Sequence, residues 1–175
     1  MDITNNTTIS KLVLLYVFDK MEMPLTEATI LDMCCFKNNW VNYITCKELL
    51  IDLIETGFIV PSKSSTADSY YTITNDGRSC LSYFFIKIPA SLRDEITKFV
   101  KENRISFRRK QEYFADYFKN DDGTYTVLMK IVEPLGTKLE LKLNVANRAQ
   151  ARSIYKKWEN CAGQVYASLY DILMD

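Results

Sequence analysis

Apolar positions recur at helical spacing through the first part of the chain, with one break. Over residues 8–21 they fall three or four apart, which predicts an amphipathic helix. Pro24 then interrupts the pattern, because it lacks an amide hydrogen and favours extended geometry in the residue before it. Thr26 is a good cap for a second helix, which the pattern carries to about Phe36.

The next segment predicts a helix, a strand, a loop and a returning strand. Thr45 and Glu48 have the T-x-x-E spacing of a capping box, in which each residue satisfies a free amide of the other. Gly57 suits the left-handed end of the helix that they begin. The following elements are a strand at 58–60, a polar loop at 61–69, a strand at 70–73 and a helix after Thr74. This is the order of a winged helix-turn-helix, with residues 45–56 as the recognition helix and 61–69 as the tip of the wing.

The second half of the chain changes its hydrophobic period twice. Pro89 suits the first position of a connector helix that reaches about residue 107. From Arg108 onward the apolar positions alternate with polar ones over three segments, which predicts an antiparallel meander. Asn147 can cap a last helix that reaches about Met174.

The predicted fold is therefore α+β, with an N-terminal winged helix-turn-helix and a C-terminal three-stranded antiparallel sheet covered by one long helix. The chain is expected to divide into three parts. These are a winged helix-turn-helix domain at 1–88, a connector helix at 89–107, and a β-β-β-α domain at 108–175 that dimerises or senses a signal.

The last helix carries a heptad-like apolar stripe, in which the spacing alternates between four and three from Ala151 to Ile172. Such a stripe is typical of a helix that lies on its own sheet. Because the helix is long, its end can also extend past the sheet and pair with a second copy of the chain. Four cations lie off the stripe, on a face expected to be solvated: Arg148, Arg152, Lys156 and Lys157.

Composition excludes most familiar enzyme classes. The chain has no histidine, so Ser-His-Asp and Cys-His machinery and histidine metal ligands are absent. It has 5 glycines, and no two of them are close enough to form a glycine-rich phosphate loop. No catalytic residue, cofactor or metal site is therefore expected, and we expect a protein that is not an enzyme.

The cysteines and the N-terminus indicate a cytoplasmic protein. None of the 5 cysteines has the C-x-x-C spacing, which favours reduced, buried thiols. A thiol switch at the adjacent Cys34 and Cys35 is the alternative. Residues 1–10 are polar, unlike a secretory signal, and no apolar stretch is long enough to cross a membrane.

The predicted winged helix identifies candidate DNA contacts. A recognition helix enters the major groove with the residues near its N-terminus, and a wing contacts the backbone or the minor groove. The candidates on and before the helix are Asn42, Tyr43, Thr45, Cys46, Lys47 and Ile51. The candidates on the wing are Ser62, Lys63, Ser64, Ser65 and Thr66. The expected partners are double-stranded DNA and a second copy of the chain, with no membrane; the residues identify no effector.

The distribution of charge is the opposite of what DNA binding by the first half of the chain would require. The chain has 22 Lys and Arg and 22 Asp and Glu, but residues 1–88 have 7 and 10 of them, and residues 89–175 have 15 and 12. A DNA-binding module normally contacts phosphates through cations. The acidic balance of the first half therefore favours an alternative function, a protein-interaction or assembly module that uses the winged helix without nucleic acid. A basic cluster lies where the connector meets the sheet, at Arg104, Arg108, Arg109 and Lys110.

Two sets of residues resemble known families. Leu53–Ile59 and Tyr71–Gly77 resemble the L-x-E-x-G-x-I and Y-x-[IL]-T-x-x-G pair of winged-helix regulators of the PadR and MarR type. The whole chain resembles an uncharacterised bacterial family, catalogued as a domain of unknown function, that joins a winged helix to a small α/β domain. The segments that carry this second resemblance are Lys11–Tyr16, Met23–Thr26, Asn42–Thr45, Ile88–Pro89, Ala115–Tyr117 and Asn144–Ala146. The resemblance implies a cytoplasmic bacterial transcriptional regulator and brings no catalytic residue or ligand.

Overall fold

The computed structural model describes residues 6–62 and 69–174 of the chain. The chain divides into two units, Met1–Ile105 and Ser106–Asp175. Within the described residues there are six α-helices and two three-stranded antiparallel sheets. The predicted α+β class is therefore confirmed.

The first unit combines helices with a small sheet whose strand order is β1-β3-β2. Strand β1 pairs with β3 through Leu25 and Tyr71, and β2 pairs with β3 through Ile59 and Ile73. A π-helical segment at Asp32–Lys37 continues α2, and a short 3₁₀ turn follows α4. The elements are α1 (Thr7–Met21), β1 (Leu25–Thr26), α2 (Glu27–Leu31), α3 (Tyr43–Glu55), β2 (Ile59–Ser62), β3 (Tyr70–Ile73), α4 (Asn75–Phe84) and the first part of α5 (Ala90–Glu112).

The predicted cap of α2 is found in the structure, but the predicted cap of α3 is not. The Thr26 hydroxyl accepts a hydrogen bond from the Thr29 amide at 3.2 Å, so the predicted cap of α2 is confirmed. Helix α3, however, begins before Thr45, because Asn42 is its cap and the Asn42 side chain accepts from the Ile44 amide at 3.0 Å. The predicted capping box is therefore wrong: Thr45 and Glu48 lie inside a helix that a stronger cap has already begun.

Helix α1 is the centre of the core of the first unit. Every residue from Leu12 to Phe18 is buried, so this helix is covered on all sides. The first turns of α5 belong to the same core. The Trp40 indole donates to the Glu95 carboxylate at 2.8 Å, and the Tyr16 and Thr97 hydroxyls are hydrogen-bonded at 2.8 Å.

Helix α5 differs from the predicted connector at both ends. Pro89 caps the helix through its carbonyl, which accepts from the Arg93 amide at 3.0 Å, instead of occupying the first helical position. At the other end the helix continues to Glu112, beyond the predicted end at residue 107. Phe107 is buried there, and Arg108 and Glu112 form an ion pair one helical turn apart at 2.9 Å. Both contacts favour helix in a segment whose sequence alternates like a strand.

The second unit is an antiparallel meander with strand order β4-β5-β6 and a helix packed against it. Its elements are β4 (Tyr113–Lys119), β5 (Tyr125–Glu133), β6 (Gly136–Val145) and α6 (Arg148–Met174). The central strand contributes Val127, Met129 and Ile131 to the core, and α6 contributes Ala151, Trp158 and Ala162. The side chain of Asn147 accepts from the Gln150 amide at 3.0 Å, so the predicted cap of α6 is confirmed.

Candidate nucleic-acid interface

Helix α3 ends in a motif that fixes its direction relative to the strand that follows. Gly57 has a positive φ of 73°, which suits glycine because it has no Cβ atom. Its amide donates to the Ile54 carbonyl at 3.0 Å, and the Phe58 amide donates to the Leu53 carbonyl at 2.9 Å. This pair of bonds is a Schellman motif, and it satisfies the last carbonyl groups of the helix.

The start of α4 is hydrogen-bonded to the same motif. The Thr74 hydroxyl donates to the Gly57 carbonyl at 2.8 Å and accepts from the Gly77 amide at 3.0 Å. Gly77 lies so close to Phe58, the residue before β2, that a Cβ atom there would overlap the carbonyl oxygen of Phe58. Gly57, Thr74 and Gly77, which belong to the motifs that resemble winged-helix regulators, are therefore packing residues that position α3.

The exposed face of α3 is apolar and acidic. Four residues at spacings of four, three and four lie on the solvent side: Ile44, Glu48, Ile51 and Glu55. Ile44 is 65% exposed and Ile51 is 59% exposed. We call these four residues the α3 face. It has no cation, and two of its four side chains are carboxylates.

The N-terminal turn of α3 is the more polar part of the candidate interface. Asn42 is exposed, but its side-chain oxygen, Oδ1, already accepts the hydrogen bond that caps the helix. Tyr43 is 46% exposed, and the centre of its ring lies 5.8 Å from that of the exposed Phe36. Thr45 is half-buried. Within the described residues, the side-chain amide nitrogen of Asn42 and the Tyr43 hydroxyl have no hydrogen-bond partner.

Lys47 is the one cation on α3, and it is ion-paired. Its ammonium group donates to the Glu27 carboxylate on α2. This hydrogen bond raises the pKa of Lys47, so the ammonium form is favoured. A phosphate group would have to compete with Glu27 for this cation.

Cys46 does not lie on the surface of the helix. It is completely buried, and desolvation raises the pKa of its thiol, with Cys35 as a further cause. Cys34 and Cys35 are buried in the same part of the core. Cys46 thus packs inside, although it was predicted among the DNA contacts.

The wing candidates Lys63, Ser64, Ser65 and Thr66 lie outside the described residues, and Ser62 ends strand β2.

The other cations of the described part of helices α1–α4 are also engaged. Lys11 pairs with Asp52 on α3, and Arg78 pairs with Asp19. Lys37 lies 3.6 Å from Asp32, and the Lys20 ammonium lies 5.3 Å from the ring centre of Tyr16. These contacts leave no free positive patch among residues 6–62 and 69–84.

The predicted basic cluster at the end of α5 is partly neutralised as well. Arg104 pairs with Glu22 at 2.7 Å, and Arg108 pairs with Glu112. Arg109 and Lys110 are exposed. By contrast, the cations on the first half of α6 are exposed, with no carboxylate partner in the described chain: Arg148, Arg152, Lys156 and Lys157.

Metal sites and membrane-spanning helices were the other features sought among the described residues. Among the described residues, no three Cys, Asp or Glu side chains are grouped so that they could hold a metal ion. No described helix combines the length and apolar character needed to cross a membrane. The α3 face was missed by the sequence analysis as a unit, although the positions opposite the apolar side of residues 45–56 would have identified three of its members.

These features define a mixed α+β protein that presents one well-anchored helix, α3, on the surface of its first unit. Residues 10–173 match the family described as Domain of unknown function (DUF4364), and the chain belongs to this family. No curated protein and no solved structure matches the chain. The predicted membership of a family with a domain of unknown function is confirmed.

Proposed function

We propose that residues 1–88 form a winged helix-turn-helix and that the chain is a homodimeric, DNA-binding transcriptional regulator in the bacterial cytoplasm. The observation that carries this proposal is the sheet order β1-β3-β2, with α2 and α3 between β1 and β2. In a winged helix this arrangement presents the third helix to the major groove and the loop between the last two strands to the backbone. Here the chain between those two strands is residues 63–69, of which 63–68 lie outside the described residues.

Contact with bases would come from the first turn of α3. The Asn42 amide nitrogen can donate to a base acceptor, and the Tyr43 hydroxyl can donate to a base or a phosphate. Lys47 would exchange Glu27 for a phosphate, while Ile51 could pack on a thymine methyl group. Glu48 and Glu55 oppose the phosphates by charge, so most of the α3 face must lie away from the backbone.

Salt dependence measures how many phosphates such a complex contacts. Each phosphate contact contributes about 0.9 to the slope of log affinity against log salt concentration. The candidate contacts include two cations per chain, Lys47 and Lys63, so a dimer that uses only these should show a slope of about 3 to 4. A larger slope would require cations from elsewhere in the chain.

The experiment is a titration of the purified chain into a fluorescent duplex from its own promoter. It is repeated at salt concentrations from about 50 to about 200 mM, so that counterion release changes the affinity. Lys47→Ala should weaken binding and lower the slope by about one per chain. Lys11→Ala is the matched control, because it removes an ion-paired lysine of the same unit that is not among the candidate contacts. Failure of the unsubstituted chain to bind at the lowest salt concentration would overturn the proposal.

A second candidate function is favoured by the α3 face itself. Ile44 and Ile51 are both more than half exposed, and they lie beside two carboxylates. Such a surface fits a protein surface that is apolar and basic better than it fits a DNA groove. In this case α3 would bind a partner protein, and the winged helix would serve as an assembly module.

Glu48→Gln/Glu55→Gln separates the two functions. Removing two carboxylates next to DNA should raise the affinity for the duplex several-fold, because repulsion from phosphates is lost. If the face binds a basic protein, the same variant should lose that partner in co-purification of the tagged full chain from its own cells, while Lys11→Ala retains it. Unchanged duplex affinity together with loss of a reproducible partner would favour the second function.

A further inference from the structure

Strand β6 lies at one edge of the sheet in the second unit. It is the last strand in the order β4-β5-β6, and within the described residues no strand pairs with its other side. The backbone of an edge strand presents a row of donors and acceptors that a further strand can use. Strand β6 is 10 residues long and contains no proline. It is therefore a long, uninterrupted edge.

The side of β6 that faces α6 is apolar and incompletely covered. Three leucines on this side lie opposite core residues of β5: Leu139, Leu141 and Leu143. Directly opposite residues of antiparallel strands point to the same side of a sheet. Leu143 is nevertheless 47% exposed, although Val127, its partner on β5, is completely buried. The edge strand thus leaves part of its apolar side open to a neighbour.

The other side of β6 carries charges in a self-complementary order. Lys138, Glu140 and Lys142 alternate with the leucines and are exposed. The nearest partner of Glu140 is Lys130 at 2.9 Å, while Lys142 lies 3.7 Å away and its side chain is 65% exposed. Lysines on an edge normally discourage pairing. Here a second, antiparallel copy of the strand can place its Glu140 opposite Lys142, and its Lys142 opposite Glu140.

We propose that β6 pairs with β6 of a second copy of the chain, antiparallel and with Leu141 opposite Leu141 on the two-fold axis, and that this pairing forms the homodimer. In this register Leu139 lies opposite Leu143 on one side, and Glu140 lies opposite Lys142 on the other. Residues 137–145 of each copy are paired, which joins the two meanders into one antiparallel sheet. This inference rests on the proposed function in one respect, the expectation that the chain is a homodimer.

The neighbouring registers are less favourable. A two-fold axis at Glu140 or at Lys142 places like charges directly opposite each other, which destabilises a strand pair. An axis at Leu139 pairs opposite charges, but it leaves Leu143 beyond the end of the partner strand, which begins at Gly136. The axis at Leu141 is favoured because it pairs the charges and the leucines together.

The opposite edge of the sheet does not have this property. Strand β4 carries Asp116 and Lys119 on different sides of the sheet, because they are an odd number of residues apart. In an antiparallel pair of two β4 strands, residues on different sides cannot lie opposite each other. The order of charges therefore favours β6 as the edge that pairs with a copy of itself.

The test is the molar mass of the full chain in solution, measured by light scattering during size-exclusion chromatography. The unsubstituted chain should be a dimer at micromolar concentration. Lys142→Glu should raise the dissociation constant about tenfold or more, because carboxylates then face each other on both sides of the axis. This variant leaves the ion pair of Glu140 with Lys130 in place. The matched control, Lys119→Glu, makes the same charge change on the exposed edge of β4 and should remain a dimer.

The double variant Glu140→Lys/Lys142→Glu distinguishes pairing of β6 from general destabilisation. It exchanges the two charges, so opposite charges again face each other in the proposed register, and dimerisation should recover to within about threefold of the unsubstituted chain. With the axis at Leu139, the same variant would place lysines opposite each other at Lys138 and would not recover. Circular dichroism of each variant checks that it is folded.

Four results would overturn the proposal. The unsubstituted chain could be a monomer at about 100 µM, a concentration at which weak dimers still form. Lys142→Glu could dimerise as tightly as the unsubstituted chain. The folded double variant could remain as weak as Lys142→Glu. Finally, the mass could rise beyond that of a dimer with concentration, which would indicate head-to-tail pairing of β6 with β4 of the next copy.

The interface and DNA binding fail separately. A dimer that shows the expected charge dependence but binds no DNA would overturn the proposed function and leave the β6 interface in place. A chain that binds its duplex, yet dimerises equally well with Lys142→Glu, would overturn the interface and leave the proposed function.

Discussion

The hydroxyl of Thr74 donates a hydrogen bond to the carbonyl oxygen of Gly57 at 2.8 Å, and so joins the start of α4 to the end of α3. The same hydroxyl accepts from the Gly77 amide, which makes Thr74 the cap of α4. Two glycines and one threonine, separated by up to 20 positions in sequence, therefore form one joint. This joint holds the exposed helix of the first unit against its small sheet.

Thr74→Val should destabilise the first unit by about 2 kcal/mol, because it keeps the shape of the side chain but leaves the Gly57 carbonyl and the Gly77 amide without this partner. Thr74→Ser keeps the hydroxyl and should cost less than half as much. The free energy of unfolding is measured in urea from the fluorescence of Trp40, in a Trp158→Phe background that leaves one tryptophan per chain. Equal losses for the valine and serine variants would show that the hydroxyl does not contribute.

Two glycines of the joint should respond differently to alanine. At Gly77 a Cβ atom would overlap the Phe58 carbonyl and lie 2.9 Å from Cγ1 of Ile73, so the helix must move away from the strand. At Gly57 there is open space, and the cost is only the positive φ. We expect Gly77→Ala to cost about 3 kcal/mol or more and Gly57→Ala about 1 kcal/mol, measured in the same urea assay. The reverse order would contradict this packing.

Local signals in the sequence were sufficient for most elements. Thr26 and Asn147 were predicted as caps because a cap depends on the few residues that follow it. The start of α3 was not predicted, since Asn42 and Thr45 are both good caps and the sequence spacing favoured the wrong one. The end of α5 was also missed, because the burial of Phe107 that favours helix there depends on tertiary packing.

The surface chemistry was harder to predict than the fold. Counting charges over residues 1–88 correctly indicated that this part of the chain has few cations, but not that the cations of the described part of α1–α4 are engaged in ion pairs or ring contacts. Lys47 and Glu27 are 20 residues apart and lie on different helices, so their ion pair depends on how α2 and α3 pack. The burial of Cys46 likewise depends on which side of α3 faces the core, and the misplaced start of the helix obscured it.

The buried thiols should make the protein less stable at high pH. Burial raises the pKa of Cys34, Cys35 and Cys46, so these thiols stay protonated in the folded chain at pH values where the unfolded chain begins to ionise, near 8.5. Their contribution to stability is therefore present below this pH and is lost as pH rises above it. We expect the urea midpoint to fall between pH 8 and pH 10, and Cys46→Ala to show a smaller fall.

Alkylation offers a second measurement of the same thiols. Because the thiolate is the nucleophile, iodoacetamide at pH 8 should modify the half-buried Cys80 and Cys161 before the three buried thiols, by at least tenfold in rate. Mass spectrometry of the peptides gives the rates, and full modification in urea is the control. Rapid modification of Cys34 or Cys35 in the folded chain would support the alternative of a thiol switch there.

The cations of α6 are expected to add to the DNA affinity of the proposed regulator. A chain with no net charge must find its phosphate contacts in local clusters, and Arg148 and Arg152 are exposed and without a carboxylate partner in the described chain. Arg148→Gln/Arg152→Gln should therefore lower the salt slope of duplex binding by about two per chain. Lys138→Gln, which removes a cation paired with Glu133 at 2.9 Å in the same unit, should leave the slope unchanged. An unchanged slope for the double variant would show that neither Arg148 nor Arg152 contacts a phosphate in the complex.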